Sequence, residues 1–293
     1  MKTFGHCRFS FYGHSDTGRD IADLDAAHAL LWNSRRMAVR FHLFEHITLP
    51  SIVNQSDKDF TFVIIGSEQM PGVYRDRLET LVAGHTNIRL HWTDKTDISR
   101  ASRPILLEAS NDGRDPALHF RLDDDDAVAF DFVHRLKKAA SPLEPTSVIT
   151  FPQGVMGYLD NGVARHRAFR KFAIAIGYGI VKAPDDFRSP FLIQHKKYAE
   201  KHAAVIDESF PAYHYTRHST NNTNGYSAVI HRDGGVVDIV AQNSRKAAPE
   251  LTGDTVATPE AEAILRAAFP YTTGAALRAA IEQSLDPDTI MHG

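Results

Sequence analysis

The sequence predicts an α/β fold in which helices flank a Rossmann-type mixed sheet and a helical extension follows at the C-terminal end. Two observations support this prediction. Short apolar runs alternate with amphipathic segments through the first half of the chain, which is typical of βαβ units with right-handed crossovers. Hydrophobic residues make up 43% of the 293 residues, which is enough for one large core and too many for a disordered chain.

Apolar runs predict the strands of the first half. Residues 60–65 are aromatic and β-branched and are followed by Gly66, which is typical of a buried strand in a parallel sheet. Ile88, Leu90 and Trp92 alternate with other residues, which also favours a strand. The predicted strands are residues 4–11, 60–65, 87–93, 117–122 and 147–151.

Amphipathic segments between these runs predict helices. The first places Met37 and Phe41 on one face, and Pro50 is expected to end it. Pro71 is suited to open the next helix and Gly84 to close it. The predicted helices are residues 28–48, 71–84, 99–109 and 127–140.

The pattern changes after residue 150. Asn161-Gly162 lies between two extended runs and predicts a hairpin over residues 155–166. The elements predicted beyond it are a strand that bends at 172–181, a helix at 190–204, a polar loop at 211–224 and one or two helices at 260–285.

These elements predict one domain over residues 1–241, followed by a linker at 242–259 and a helical segment at 260–293. The domain divides into an N-terminal half at 1–150 and a second half at 151–241, because the strand–helix alternation stops there.

Charge and composition limit the classes of partner. The formal net charge is −3, so the chain has no overall positive field for nucleic acid, and we expect no nucleic-acid partner. Cys7 is the single cysteine, which excludes an internal disulfide and suits a reducing compartment. No uncharged stretch is long enough for a transmembrane helix. We therefore expect a cytoplasmic protein, with a peripheral membrane location and the oligomeric state left open.

Four adjacent carboxylates, Asp123 to Asp126, follow the predicted strand at 117–122. They repel one another unless a cation or a helix terminus compensates their charge. Open α/β sheets bind ligands at the carboxyl ends of their strands, and hard oxygen ligands there suit Mg²⁺ or Mn²⁺. The alternative is that these residues only start the helix predicted at 127–140, for which one or two carboxylates would suffice.

The pattern Asp123-x-Asp125 after an apolar strand is similar to the DxD motif of GT-A glycosyltransferases. Residues 49–65 resemble the helix, loop and second strand of family-2-type enzymes, although Gly66-Ser67-Glu68 stands where an acidic pair before Gly-Ser is expected. The ordered motifs resemble the family named "putative rhamnosyl transferases" over residues 5–140. They are Arg8-Phe9-Ser10, Arg40-x-x-Leu43-Phe44-Glu45, Ser67-Glu68-x-Met70-Pro71 and Arg121-Leu122-Asp123 to Asp126.

This resemblance implies a GT-A-like fold and a metal, Mn²⁺ or Mg²⁺, held by the acidic run. Asp125 would be the leading ligand and Asp123 would hold the donor ribose or a metal-bound water, with Asp124 and Asp126 as substitutes. A later histidine or aspartate supplies another ligand in many such enzymes. The spacing of His214 and His218 offers candidates, and a hydrogen-bonded or solvated loop is the alternative.

The remaining candidates belong to the donor and acceptor sides of the same site. Arg103 lies near a predicted helix start and could meet a diphosphate, although a plain surface arginine fits the sequence as well. Asp185 and Asp186 are candidates for the catalytic base, as is Asp160, although aspartate is also an ordinary turn residue. The residues predicted to bind the nucleotide sugar are Arg8, Ser10, Ser67, Arg103, Asp123 and Asp124.

The resemblance implies transfer of a sugar from a nucleoside-diphosphate donor to a carbohydrate or lipid-linked acceptor. A nucleotidyltransferase is one alternative, and it would require a glycine-rich basic loop after the first strand. Residues 13–19 match such a loop only faintly. The other alternative is a carbohydrate-binding protein that requires a divalent ion but binds no nucleotide.

Overall fold

A computed structural model describes residues 1–13, 24–218, 226–229, 238–241 and 259–292 of the chain. The strands within these ranges are β1 (Thr3–Arg8), β2 (Thr61–Ser67), β3 (Ile88–Thr93), β4 (Ala117–Arg121), β5 (Ala127–Val128), β6 (Val148–Thr150), β7 (Gln153–Asp160), β8 (Val163–Arg170), β9 (Tyr178–Lys182), β10 (Ala204–Ile206), β11 (Tyr213–Thr216), β12 (Tyr226–Val229) and β13 (Asp238–Ala241).

The α-helices of the same ranges lie mainly between strands of the first half and at the C-terminal end. They are α1 (Leu24–Leu31), α2 (Ser34–Leu43), α3 (Leu49–Val53), α4 (Gly72–Val82), α5 (Ile98–Ala109), α6 (Phe132–Ala140), α7 (His195–Ala199), α8 (Pro259–Ala268), α9 (Gly274–Gln283) and α10 (Pro287–His292). A π-helical segment at Phe44–Thr48 joins α2 to α3, and Pro190–Leu192 is a 3₁₀ turn.

The main sheet contains seven strands among the described residues, in the order β10-β6-β9-β4-β1-β2-β3. Strand β1 lies parallel to both β2 and β4, whereas β9 runs antiparallel to β4 and β6. The sheet is therefore mixed, with helices packed against it and helices at the C-terminal end. These features confirm the predicted α/β class. Strands from both predicted halves share the sheet, because β9 and β10 come from the second half.

A second sheet of the described residues has the order β5-β11-β7-β8. Strands β7 and β8 form the predicted hairpin, and Asn161 and Gly162 adopt the positive φ angles of 49° and 81° that such a turn requires. Strand β11 pairs parallel with β7 and antiparallel with β5. Because β5 directly follows the acidic run, the second sheet begins where the main sheet's β4 ends.

The C-terminal helices brace both the second sheet and helix α2. Glu282 of α9 accepts a hydrogen bond from the Ala164 backbone of β8 at 2.8 Å. On the other side, His42 of α2 lies 3.0 Å from the Ala280 carbonyl, and Arg35 pairs with Asp288 at 2.8 Å. Among the described residues, we find no helix that is long and apolar enough to cross a bilayer.

The long helix predicted at residues 28–48 is interrupted at its start and extended at its end. Asn33 separates α1 from α2 and caps α2 by accepting from the backbone of Arg35 and Arg36. Pro50 does not end the helical segment, which continues to Val53. It lies in the first turn of α3, where a missing backbone donor costs least.

The helix predicted at 127–140 begins later than expected, at Phe132. Residues 127–128 pair with β11 instead, so the acidic run does not start a helix. The polar loop predicted at 211–224 is also partly a strand, because residues 213–216 form β11, while 219–224 lie outside the described residues. Helical periodicity could not reveal this pairing, since it joins segments that are distant in the chain.

Two other predicted segments are shorter than expected. The helix predicted at 190–204 comprises a 3₁₀ turn and α7, and Ala204 already belongs to β10. The strand predicted at 172–181 begins only at Tyr178. Residues 242–258 of the predicted linker lie outside the described residues, and α8 begins at Pro259.

Close packing between β7 and β11 fixes the position of the second sheet. A Cβ atom at Gly154 would lie 2.4 Å from the Tyr213 ring and 2.6 Å from the Tyr213 carbonyl oxygen. We expect Gly154→Ala to lower the free energy of unfolding in urea by about 1–3 kcal/mol, because the extra methyl group overpacks a fully buried contact.

Gly72→Ala is the matched control, because a Cβ atom at Gly72 has no neighbour within 4 Å. This substitution at the start of α4 should leave the unfolding free energy unchanged or slightly higher. Equal unfolding free energies for the two variants would contradict the tight β7–β11 packing.

Candidate functional site

The carboxyl ends of β1, β2 and β4 meet at one edge of the main sheet. Two predicted serines lie there and are held by the backbone and side chains around them. Ser67 Oγ accepts from the Tyr12 backbone N–H at 2.8 Å, and Ser10 Oγ accepts from Arg36 at 3.0 Å. Ser10 has a positive φ of 42°, which turns the chain out of β1 at this edge.

The acidic run follows β4 at the same edge and is compensated by an arginine from helix α2. Asp124, Asp125 and Asp126 are buried, with exposed fractions of 2%, 5% and 3%. Arg40 donates from Nε to Asp124 at 3.1 Å and from Nη1 to Asp125 at 2.9 Å, and its Nη2 also contacts Asp124. Arg40 therefore supplies positive charge to two of the four carboxylates, Asp124 and Asp125.

The second sheet brings two further groups to the run. His218 Nε2 lies 2.8 Å from Asp125 Oδ2, and the Thr216 backbone N–H donates to Asp126 Oδ1 at 2.8 Å. Both contacts follow from the pairing of β11 with β5, which aligns the end of β11 with the acidic run. Asp125 thus lies between Arg40 of the helical layer and His218 of the second sheet.

The surroundings of Asp125 and Asp126 shift the pKa values of these neighbouring carboxyl groups in opposite directions. Burial would raise the pKa of Asp125, but the charge of Arg40 and the hydrogen bond from His218 outweigh burial and hold that pKa below its ordinary value. Burial, together with the charges of Asp125 and Asp123, raises the pKa of Asp126 well above its ordinary value. Burial also lowers the pKa of His218. Near neutral pH, Asp125 is therefore ionised and His218 is neutral, and Asp126 takes up a proton more readily than an ordinary aspartate does.

Two arginines from strand ends share one aromatic ring beside the run. Arg8 lies over the Phe191 ring with its guanidinium carbon 4.3 Å from the centroid, and Arg121 lies 5.5 Å from the same centroid. Arg121 is also 3.9 Å from Asp123, whose side chain is 39% exposed. Asp123 is therefore the most accessible carboxylate of the run, and it has positive charge beside it.

Other residues predicted for the site contact groups outside the acidic run. His214 Nε2 faces His166 Nε2 at 3.1 Å, so the structure brings His218 and not His214 to Asp125. Four residues along an extended strand span about 13 Å, too far for both histidines to reach one carboxylate. Arg103 is exposed and stacks on Phe187 at 4.6 Å.

The two predicted catalytic carboxylates differ in their surroundings. Asp185 is exposed. Asp186 pairs with Lys182 at 3.2 Å and with Arg188 at 3.0 Å. Burial opposes ionisation of Asp186, but these two cations outweigh it and lower its pKa to about 2. Asp186 is therefore held as a carboxylate by a network of its own.

A divalent ion could use Asp125 and His218 as protein ligands. Within the described ranges, no group of three or more His, Cys, Asp or Glu side chains is arranged to hold a metal. Mg²⁺ sites commonly use only one or two carboxylates and take their other ligands from phosphates and water. Because Asp125 is a carboxylate, His218 Nε2 donates to it, and a metal held by both groups would replace this hydrogen bond and require the tautomer without a hydrogen on Nε2.

Sequence reasoning did not assign a site role to Arg40, Thr216 or Phe191. For Arg40 a signal existed, because the residue lies close to the apolar positions Met37 and Phe41 of a helix predicted to be buried. A buried arginine requires an anionic partner, and the acidic run requires a cation. The contacts of Thr216 and Phe191 depend on packing between distant segments and had no such signal.

A model of the family described as "Putative rhamnosyl transferase" matches residues 2–228. No curated protein matches the chain.

Similar solved structures include S. aureus TarS 1-349 in complex with UDP-GlcNAc, at 10% identity and a TM-score of 0.46 over 77% of this chain and 63% of that chain. The same protein in complex with UDP gives 9% identity and a TM-score of 0.43 over 74% of this chain and 61% of that chain. The WbbM bifunctional glycosyltransferase gives 15% identity and a TM-score of 0.28 over 52% of this chain and 23% of that chain. The chain thus spans about three fifths of the two TarS structures.

Removing Arg40 should destabilise the protein strongly. Arg40→Met leaves Asp124 and Asp125 buried without their cation, and breaking a buried ion pair in this way typically costs about 3–5 kcal/mol. Urea unfolding of the purified variant measures the loss. Arg89→Met is the control, because Arg89 pairs with Glu108 at the surface, where both side chains are more than a third exposed. That variant should lose less than about 1 kcal/mol. Similar losses in both variants would contradict the role given to Arg40.

Proposed function

The chain belongs to the family described as "Putative rhamnosyl transferase", and we propose that it is a glycosyltransferase that uses a nucleoside-diphosphate sugar as donor. The acceptor in this proposal is a carbohydrate or a lipid-linked carbohydrate, and the transferred sugar is a hexose, with rhamnose as one candidate. The family match covers the whole main sheet and the acidic run. The cytoplasmic location expected from the sequence stays a prediction.

The observation that carries this proposal is the buried, internally compensated acidic run at the carboxyl edge of the sheet. Open α/β sheets bind their ligands at this edge. Asp123 is exposed enough to accept hydrogen bonds from ribose hydroxyls, as predicted from the DxD resemblance. Arg121 lies 3.9 Å from Asp123, Arg8 shares the Phe191 ring with Arg121, and both supply positive charge for a diphosphate.

We propose that Asp125 and His218 hold Mn²⁺ or Mg²⁺, with oxygens of the donor diphosphate completing the coordination. A bound divalent ion would stabilise the negative charge of the departing nucleoside diphosphate. Arg40 keeps Asp125 ionised and fixes its orientation, so this ligand is in place before the donor arrives. Asp126 is the weaker candidate for ligation, because its Oδ1 already accepts a hydrogen bond from the Thr216 backbone and burial raises its pKa.

In the proposed reaction, an acceptor hydroxyl oxygen forms a bond to the anomeric carbon of the donor sugar. The bond from that carbon to the diphosphate oxygen breaks, and the nucleoside diphosphate leaves with the electron pair. The hydroxyl proton passes to a base. The two predicted bases follow β9, which runs antiparallel to β4 with Lys182 opposite Ala117, so Asp185 and Asp186 lie toward the amino end of β4, away from the acidic run. Lys182 and Arg188 lower the pKa of Asp186 to about 2 and make it a poor proton acceptor.

Metal-dependent nucleotide binding is the most direct test. UDP, GDP, CMP and dTDP are each added to the protein with and without Mn²⁺, and the melting temperature is recorded. We expect one nucleoside diphosphate to stabilise the protein only with Mn²⁺, by about 2.7 kcal/mol at 100 times its Kd. In Asp125→Asn, the shift that depends on Mn²⁺ should disappear, because the amide lacks the charge that holds the ion.

Asp94→Asn is the matched control, because Asp94 follows β3 at the same sheet edge and pairs with the neighbouring Lys95. It should keep the full shift. The absence of a metal-dependent shift with every nucleotide would refute the proposal. Glycan binding that requires Mn²⁺ without any nucleotide binding would instead indicate a carbohydrate-binding protein. Incorporation of a nucleotide into a sugar phosphate would indicate a nucleotidyltransferase.

A further inference from the structure

One face of the second sheet combines aromatic rings with arginines. The hairpin register places Arg165 opposite Tyr158 and Arg167 opposite Met156, and β11 places Tyr215 beside Met156. Side chains in one cross-strand row project from the same face of a sheet. We call this the aromatic–arginine face, and its members are Met156, Tyr158, Arg165, Arg167, Phe169 and Tyr215.

Arg167 lies at the centre of this face without a carboxylate partner among the described residues. Its guanidinium carbon lies 5.8 Å from the Tyr158 centroid and 5.9 Å from the Phe169 centroid. Its Nη2 lies 3.5 Å from Met156 Sδ, a weak acceptor. Its Nε is fully buried and makes no hydrogen bond.

The neighbouring arginines of β8 each pair with a carboxylate, and Arg167 has no such partner among the described residues. Arg165 pairs with Asp160 at 2.9 Å, and Arg170, which projects from the opposite face, pairs with Glu208. A half-buried guanidinium without an anion is costly, because its donors lose water and gain no full partner. The stacked rings recover only part of this cost. An anionic group of a ligand would satisfy Arg167 fully.

The aromatic–arginine face is connected to the acidic run through strand β11. Tyr215 belongs to the face, and the next residue, Thr216, donates to Asp126 at 2.8 Å. Two residues after the end of β11, His218 contacts Asp125. A ligand on this face would therefore lie along the strand that forms one side of the proposed donor site.

We propose that the aromatic–arginine face binds the acceptor and that the acceptor is an acidic glycan. Phe169 and Tyr215 are partly exposed and provide rings on which sugar rings can stack, whereas Tyr158 is buried beside Arg167. Arg167 provides the cation for a carboxylate or phosphate carried by the glycan. This inference rests on the proposed function and specifies its acceptor class. The chemistry of the face fits a neutral glycan poorly, because Arg167 would remain without an anion.

The test compares two glycans that differ only in charge. Oligogalacturonate and its methyl ester are titrated into the full chain in the presence of Mn²⁺, and affinity is measured by calorimetry. We expect the acidic form to bind at least about tenfold more tightly, which corresponds to one charge-assisted hydrogen bond. Arg167→Met should remove this preference, and Arg170→Met, on the opposite face of β8, should retain it. Arg167→Gln is a second variant, and circular dichroism checks the fold of each.

The outcomes separate this inference from the proposed function. The inference is overturned if wild-type protein shows no preference for the acidic glycan, or if both Arg167 variants keep the preference. In either case, a metal-dependent shift with a nucleoside diphosphate in the same samples would leave the glycosyltransferase proposal standing. Loss of the glycan preference in the Arg167 variants with an unchanged nucleotide shift would support an acceptor subsite.

Discussion

The ion pair of Arg40 with Asp124 and Asp125 is the interaction on which the rest of the site depends. Three buried carboxylates follow β4, and helix α2 supplies the one cation seen to contact two of them. Helix α2 is in turn held by the C-terminal helices through the contacts of His42 and Arg35. Segments from both ends of the chain therefore stabilise the conformation of four residues in its middle.

The same ion pair joins the two sheets. Strand β4 of the main sheet ends at the acidic run and β5 of the second sheet begins there, so Asp125 contacts helix α2 on one side and His218 on the other. Arg40 and His218 both contact Asp125 and hold its pKa low, whereas burial and the charges of Asp125 and Asp123 raise the pKa of Asp126. Asp125 is thus kept charged for a ligand, while the pKa of its neighbour Asp126 is shifted in the opposite direction.

The sequence predicted those parts of the fold that depend on local pattern. Residues 61–65 of the predicted run lie in a buried strand because their side chains are suited to a packed sheet. The acidic run indicated that a cation was needed, but the source of that cation could not be predicted, because Arg40 and Asp124 are separated by 84 residues. The expected helix at residue 127 was wrong for a related reason. The pairing of β5 with β11 competes with helix formation, and only the tertiary structure reveals it. The spacing of His214 and His218 likewise did not show which histidine reaches the run.

A double-mutant cycle between Arg40 and Asp124 tests the central claim most directly. The free energy of unfolding is measured for wild-type protein, Arg40→Met, Asp124→Asn and the double variant. If Arg40 and Asp124 compensate each other in a buried environment, the coupling energy should exceed about 2 kcal/mol, and the double variant should be more stable than Arg40→Met alone. A coupling energy near zero would show that the two residues act independently and would contradict the account.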